Sequence, residues 1–96
     1  MTAYAIGVMN VHDTAWQQAY GAAMPALIGK HGGKVLAKAP AQALEGAAAA
    51  PDVVVLIAFP TADHARAWYD DPDHAPLKQL RRSGADLELL LVDAPA

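Results

Sequence analysis

Seven consecutive apolar residues, Val53-Val54-Val55-Leu56-Ile57-Ala58-Phe59, run directly into Pro60, and Thr61 then opens a stretch of helical period that lasts to Asp71. β-Branched residues favour a strand, and proline cannot donate to a central ladder, so this strand has to end at Phe59. Thr61 carries a hydroxyl oxygen suited to cap the helix that follows. A strand with one face in water alternates apolar with polar residues. Here Val53, Val55, Ile57 and Phe59 take one side and Val54, Leu56 and Ala58 the other, so both sides require cover.

The rest of the chain can be placed around this hinge. Ala3–Val11 is rich in β-formers and predicts the first strand, with Gly7 marking a bulge or a close backbone approach. His12-Asp13-Thr14 is a helix-start signal, and Thr14 with Gln17 forms a capping box. Trp16, Ala19, Tyr20, Ala23, Ala26 and Leu27 then recur at three- and four-residue steps, a stripe that can lie on a sheet. Pro25 predicts a break near Ala22, with the helix resuming to Lys30 or His31 before Gly32-Gly33 supplies a left-handed cap. Lys34–Ala39 and Gln42–Glu45 predict a bent edge strand interrupted by Pro40, and 46–51 a loop whose four alanines are too few to hold a helix. After the central strand, a helix over Ala62–Asp70 presents Ala65, Trp68 and Tyr69 inward and stops at Asp71-Pro72. A short helix over Asp73–Arg82, a turn at Ser83-Gly84 and a strand over Asp86–Val92 complete the order βαββαβ.

That order predicts a single α+β domain over residues 1–96, ferredoxin-like, with a four-stranded antiparallel sheet and the helices on one face. The other face is left apolar. With 54% hydrophobic and only 18% charged residues, and a chain of this size burying only roughly 60–65% of its surface, a second copy is the simplest cover. The expected assembly is a homodimer joined through its sheet faces, a dimeric α+β barrel.

The formal charge of −3 and the scattered basic residues argue against nucleic acid as a partner. The absence of cysteine removes disulfides and thiolate catalysis and fits a cytoplasmic setting. No apolar run approaches the ~20 residues that span a bilayer, and residues 1–12 lack the pattern of a signal peptide, so no membrane partner is expected.

Several short motifs, taken together and in order, give the chain a resemblance to a family of small bacterial proteins known as domain of unknown function 1330. They are Ala3-Tyr4; Asp13 with Trp16 and Tyr20; Pro25-Ala26-Leu27-Ile28; His31-Gly32-Gly33-Lys34-Val35-Leu36; Leu44-Glu45-Gly46; Phe59-Pro60-Thr61; Ala65-Arg66-Ala67-Trp68-Tyr69; Asp71-Pro72-Asp73; and Leu90-Leu91-Val92. The resemblance implies a dimeric α+β barrel and supplies no reaction. The chain departs from that pattern at Ala58, where a glutamate commonly precedes Phe-Pro, at His74, where a tyrosine is common, and after Gly46. The departures imply that any role of that glutamate is lost here or reassigned to Glu45 or His74.

Each candidate residue has two readings. His31 follows the first helix, where it can simply cap the last carbonyls, or act as a general acid or base. The pairs His12-Asp13, Asp63-His64 and Asp73-His74 combine metal-ligating types, but they sit at element ends without metal-site spacing, so no metal is expected. Trp16, Tyr20, Trp68 and Tyr69 are core aromatics whose polar edges can also line a cavity. Glu45 and Asn10 are polar residues in apolar extended segments. A buried Glu45 would need Arg66, Arg81 or Arg82 beside it, and Asn10 can serve backbone groups.

The leading expectation is a binding or accessory protein that holds a small, mostly apolar metabolite between helices and sheet. Its candidate ligand-binding residues are Asn10, Trp16, Tyr20, His31, Glu45, Trp68 and Tyr69. The second is an enzyme without metal or organic cofactor, of monooxygenase, isomerase or cyclase type, using His31 and Tyr69 for proton transfer; this rests on analogy of fold. The third is a structural dimer without a ligand.

Overall fold

The computed structural model describes residues 2–46 and 49–94. Its elements are β1 (Thr2–Val11), α1 (Gln17–Lys30), β2 (Lys34–Ala39), β3 (Val53–Phe59), α2 (Ala62–Asp70), a 3-10 turn at Pro72–His74, α3 (Ala75–Arg82) and β4 (Ala85–Ala94). The strands form one antiparallel sheet in the order β2-β3-β1-β4. This is the ferredoxin-like arrangement expected from the element order. Among the described residues, no helix is long and apolar enough to cross a membrane.

Cross-strand register separates the two faces. Directly opposed residues share a face, so the rows Ala3–Phe59, Ala5–Ile57–Leu91, Gly7–Val55–Leu89 and Met9–Val53–Leu87 lie on one side. Helices cover that side: Met24, Leu27 and Ile28 of α1 and Ala65 and Trp68 of α2 pack with Ala5, Ile57 and Phe59 in the main core. The opposite rows, Tyr4–Ala58–Val92, Ile6–Leu56–Leu90 and Val8–Val54–Glu88, have no helix over them. Leu90 remains 58% exposed and Val92 44% exposed.

The hinge behaves as its residues dictate. Thr61 is extended and its Oγ1 accepts the His64 amide at 3.2 Å, capping α2. Gly32 has φ +75°, and the Gly33 amide donates to the Ile28 carbonyl at 2.9 Å and the Gly32 amide to Gly29 at 3.0 Å. These two bonds satisfy the carbonyls left open at the end of α1.

Several expectations are corrected. Helix α1 runs unbroken through Pro25; Met24, Leu27 and Ile28 are buried on both sides of the proline, so packing outweighs the lost amide. The helix begins at Gln17, not at Asp13 or Thr14, and Trp16 occupies the cap position without a side-chain bond. Asp13 instead accepts the Ala15 amide at 2.8 Å, bending the chain so that Trp16 is buried. No bulge occurs at Gly7; the register shift lies in β2, between Val35 and Ala37. β2 ends at Ala39, and Gln42–Glu45 is exposed and not part of the sheet. The alanine loop expected over 46–51 includes Ala47 and Ala48, which lie outside the described residues.

The turn between α3 and β4 anchors the first helix. The Gly84 carbonyl accepts the His12 and Asp13 amides at 2.7 and 3.0 Å. A Cβ on Gly84 would lie 2.6 Å from the Asp13 carbonyl oxygen and 2.5 Å from Trp16 Cδ1, whereas one on Gly21 meets nothing within 4 Å. Gly84→Ala is therefore expected to destabilise by about 1–3 kcal/mol. Gly21→Ala, inside a helix, is expected to stabilise by about 0.5–1 kcal/mol. Urea unfolding of both variants checks the contrast, and equal midpoints would contradict it.

Candidate functional site

Small residues on β1 shape the space beneath the helices. Ala3, Ala5 and Gly7 succeed one another on the helix-facing side, while their cross-strand partners Val55, Ile57, Leu89 and Leu91 are larger. Gly7 lies in the floor of a cavity of about 190 Å³ between α1 and the sheet. Its walls include Met9, Trp16, Tyr20, Met24, Trp68 and Leu87. Trp16 and Tyr20 meet edge to face, with centroids 5.1 Å apart. A second, more open groove of about 520 Å³ lies between α2, α3 and β4, bounded by Arg66, Tyr69, Asp70, Arg82, Leu90 and Leu91 among others. Trp68, Arg81, Leu87 and Leu89 line both spaces. The two spaces, an inner and an outer lobe, have these four residues as their common wall.

Arg81 is the polar residue in that common wall. It is 5% exposed, and its Nη1 donates to Tyr20 Oη at 3.4 Å. Its Nε has no hydrogen-bond partner among the described residues, and neither has the indole N–H of Trp68. The Trp16 N–H is also unpartnered, but that edge of the ring lies against Gly84 and belongs to the turn.

A separate polar cluster fastens α1 to the α2–α3 junction. Asp71, 8% exposed, accepts at Oδ2 from Lys30 Nζ at 2.8 Å and from His31 Nε2 at 2.7 Å, and at Oδ1 from the Asp73 amide at 2.9 Å. The Lys30 bond, then the His31 bond and the Asp73 amide, hold the Asp71 carboxyl well below the usual carboxylate range. Lys30 is raised in return by the Asp71 bond. Beside this cluster His74 is fully buried, with its ring 4.7 Å from that of Trp68. Nδ1 donates to the Trp68 carbonyl at 3.0 Å, and Nε2 has no partner. Burial pushes the imidazole below its ordinary value, against the raising effect of the Trp68 carbonyl.

The seven candidate binding residues therefore do not converge. Trp16, Tyr20 and Trp68 line the inner lobe, and Trp68 and Tyr69 the outer one. His31 is turned to Asp71 and lines neither. Its side chain serves this tie across elements and does not cap the α1 carbonyls. Asn10 is exposed and accepts the Asp52 amide at 3.2 Å, while Asp52 accepts the Val11 amide at 2.9 Å. Glu45 is exposed in a bend, and the arginines that would have paired with it are elsewhere: Arg66 on Asp63 at 3.2 Å and Arg81 on Tyr20. His12 pairs with Asp86 at 2.6 Å and His64 with Thr61 at 2.7 Å. Among the described residues, no three histidine or carboxylate groups gather as a metal set.

Three residues that matter most here, Asp71, His74 and Arg81, are hard to find by composition. A signal existed for two: His74, Leu77 and Arg81 recur at three- and four-residue steps, which places them on the stripe of α3 that faces the core.

The profile of the family described as domain of unknown function DUF1330 matches residues 2–95. The chain belongs to that family. No functionally curated protein matches it. Among solved structures it is similar to a protein of unknown function from Rhodopseudomonas palustris, with TM-score 0.79 and 16% identity over 99% of this chain and 83% of the other. A dimeric ferredoxin-like protein of unknown function from Jannaschia sp. CCS1 aligns with TM-score 0.69 and 13% identity, over 98% and 100% of the two chains. SnoaB, a cofactor-independent oxygenase from Streptomyces nogalater, aligns with TM-score 0.69 and 14% identity, over 99% and 94%. At these identities the likeness is one of fold.

Burial of neutral His74 has a consequence for stability. Since its folded value is depressed, the unfolded chain binds more protons as the pH falls through about 6.5, and stability falls with it. Asp71 acts in the same direction only at lower pH, as the pH drops through the carboxylate range toward its depressed folded value. The urea midpoint, followed from about pH 7.5 to 5.5, is expected to fall in the unmodified chain and to stay flatter in His74→Gln. Parallel slopes would assign the effect to other histidines.

Proposed function

We propose that this member of the family is a homodimeric binding protein, each protomer holding a small, mostly apolar molecule in the cleft between α1 and the sheet. The observation that carries this reading is the space over Gly7. Aromatic and aliphatic side chains wall about 190 Å³ there, in a groove that opens to solvent beside exposed Gly21, Pro25, Val35 and Lys38, a concave, mostly apolar setting of the kind that takes small ligands. That volume suits an apolar body of roughly six to ten non-hydrogen atoms. Cytoplasmic location and independence from cofactors belong to the same reading, supported by a composition without cysteine and by the donor types in the cleft.

Dimerisation is supported by the uncovered face of the sheet. Ile6, Leu56 and Leu90 form its central row, flanked by Tyr4, Val8, Val54 and Val92, and a second sheet packed at ~10 Å would cover it. The related chain from Jannaschia sp. CCS1 is itself described as dimeric. An acid-base enzyme built on His31 and Tyr69 is the weaker reading. His31 faces Asp71 and lines neither lobe, so the two groups do not address one substrate.

Two measurements test these points separately. Light scattering is expected to give twice the 10.0 kDa chain mass, and Ile6→Glu to give the single mass; a native chain that stays monomeric at all concentrations would refute the sheet-face dimer. For the cleft, Gly7→Val places its side chain in the inner lobe, where the nearest neighbour of the new Cβ is the mobile end of Leu87 at 3.3 Å. Native mass spectrometry of protein from its own host is expected to show a retained small molecule that this variant lacks. Equal retention by both proteins would place the ligand elsewhere.

A further inference from the structure

Charge is distributed unevenly around the cleft. The chain is acidic overall, with seven basic and ten acidic residues, but its two lobes are lined by Lys38, Arg66, Arg81 and Arg82 and by one carboxylate, Asp70. Four of the seven basic residues thus border one cleft of a net-negative protein. Arg66 is engaged by exposed Asp63. Arg81 has no ion-pair partner among the described residues, although it is 5% exposed. A buried guanidinium without a counter-charge is costly and is found where something else neutralises it. Arg81 lines both lobes, while its Nε and the Trp68 N–H are sealed from solvent without a partner among the described residues.

We propose that the ligand is a small monocarboxylate, its apolar body in the inner lobe over Gly7 and its carboxylate at the Arg81 guanidinium. This rests on the reading of the cleft as a binding site and adds the chemical class of what it takes. An arginine fork matches a carboxylate through two parallel bonds, and charge-assisted bonds are about twice as strong as neutral ones. Arg82 and Arg66, at the rim of the outer lobe, draw the anion in without contacting it closely. Tyr20, already bonded to Arg81, is a positioning residue that holds the guanidinium in place.

The test compares matched acids and neutral amides by calorimetry on the full chain: benzoate with benzamide, 3-phenylpropanoate with 3-phenylpropanamide, and octanoate with octanamide. At least one acid is expected to bind roughly tenfold or more tighter than its amide, the difference between charge-assisted and neutral bonds. Arg81→Met is expected to erase that preference, so that acid and amide no longer differ. Arg81→Lys is expected to keep a reduced preference, and Arg82→Gln to weaken acid binding a fewfold in a salt-dependent way. Should Arg81→Met fail to fold, the acid-to-amide ratio of the unmodified chain and the Arg82→Gln response decide. Equal binding of acid and amide would overturn the carboxylate assignment and leave the apolar cleft standing. If no member of any pair binds, the cleft reading falls as well.

Discussion

Three short helices cannot cover both sides of a four-stranded sheet whose central strands are apolar on both sides. In β3 the residues facing the helices, Val53, Val55, Ile57 and Phe59, are matched by Val54, Leu56 and Ala58 on the reverse. Ile57 and Phe59 of the first set are buried, Phe59 to 1% exposure, and Val53 and Val55 are half-buried against the core. The second set receives no internal cover, and Leu90 and Val92 of β4 extend the same unprotected surface. The fold leaves that face for another surface to cover, and an isologous two-fold contact would do so with one self-complementary patch. In that arrangement the helix side remains outward, and the cleft stays open to small molecules.

How the helix side is packed explains why a cleft exists at all. Ala3, Ala5 and Gly7 give β1 little side-chain height on that side, and Phe59, Trp68 and Ile28 fill the space between α1, α2 and the sheet. Farther along, Trp16 and Tyr20 build a second cluster with Met9 and Ala85. Gly7 lies between the two clusters, and the helix above it carries Gly21 and Pro25 in the same wall. The bonds of Gly84 to His12 and Asp13 at one end, and of Asp71 to Lys30 and His31 at the other, hold α1 at that height.

Much of this was legible because it depends on local chemistry. Thr61 as a cap, Gly32 in the left-handed region, the proline after Phe59 and the two-faced pattern of β3 act within a few residues, and the strand order follows from the sequence of elements. The failures share a different cause. Pro25 was expected to break α1, but Met24, Leu27 and Ile28 are held by distant β-strand residues, and local propensity cannot report that. Glu45 was drawn into the site as a polar residue on an extended segment, yet β2 ends at Ala39 and the remaining stretch has nothing to pair with. His31 was recognised as significant, but its partner Asp71 lies 40 residues away, and the hydrogen bond between them is a property of the helix packing.

The same distinction separates structural from binding roles among the buried polar groups. Asp71 accepts three hydrogen bonds from Lys30, His31 and Asp73, and a carboxylate so satisfied has no unmet bonding that a ligand would complete. His74 is tied to the Trp68 carbonyl and packed on aromatic rings, a neutral space-filler that keeps Trp68 in place. Arg81 differs from both. It is buried, cationic and bonded only weakly to a neutral phenol, so the folded chain leaves its charge uncompensated in the wall that both lobes share. Folding alone gains nothing from that arrangement: a leucine at position 81 would extend the stripe of Leu77 and pack without desolvating a charge. An unsatisfied cation at the boundary of an apolar cavity makes physical sense when the missing partner arrives from outside.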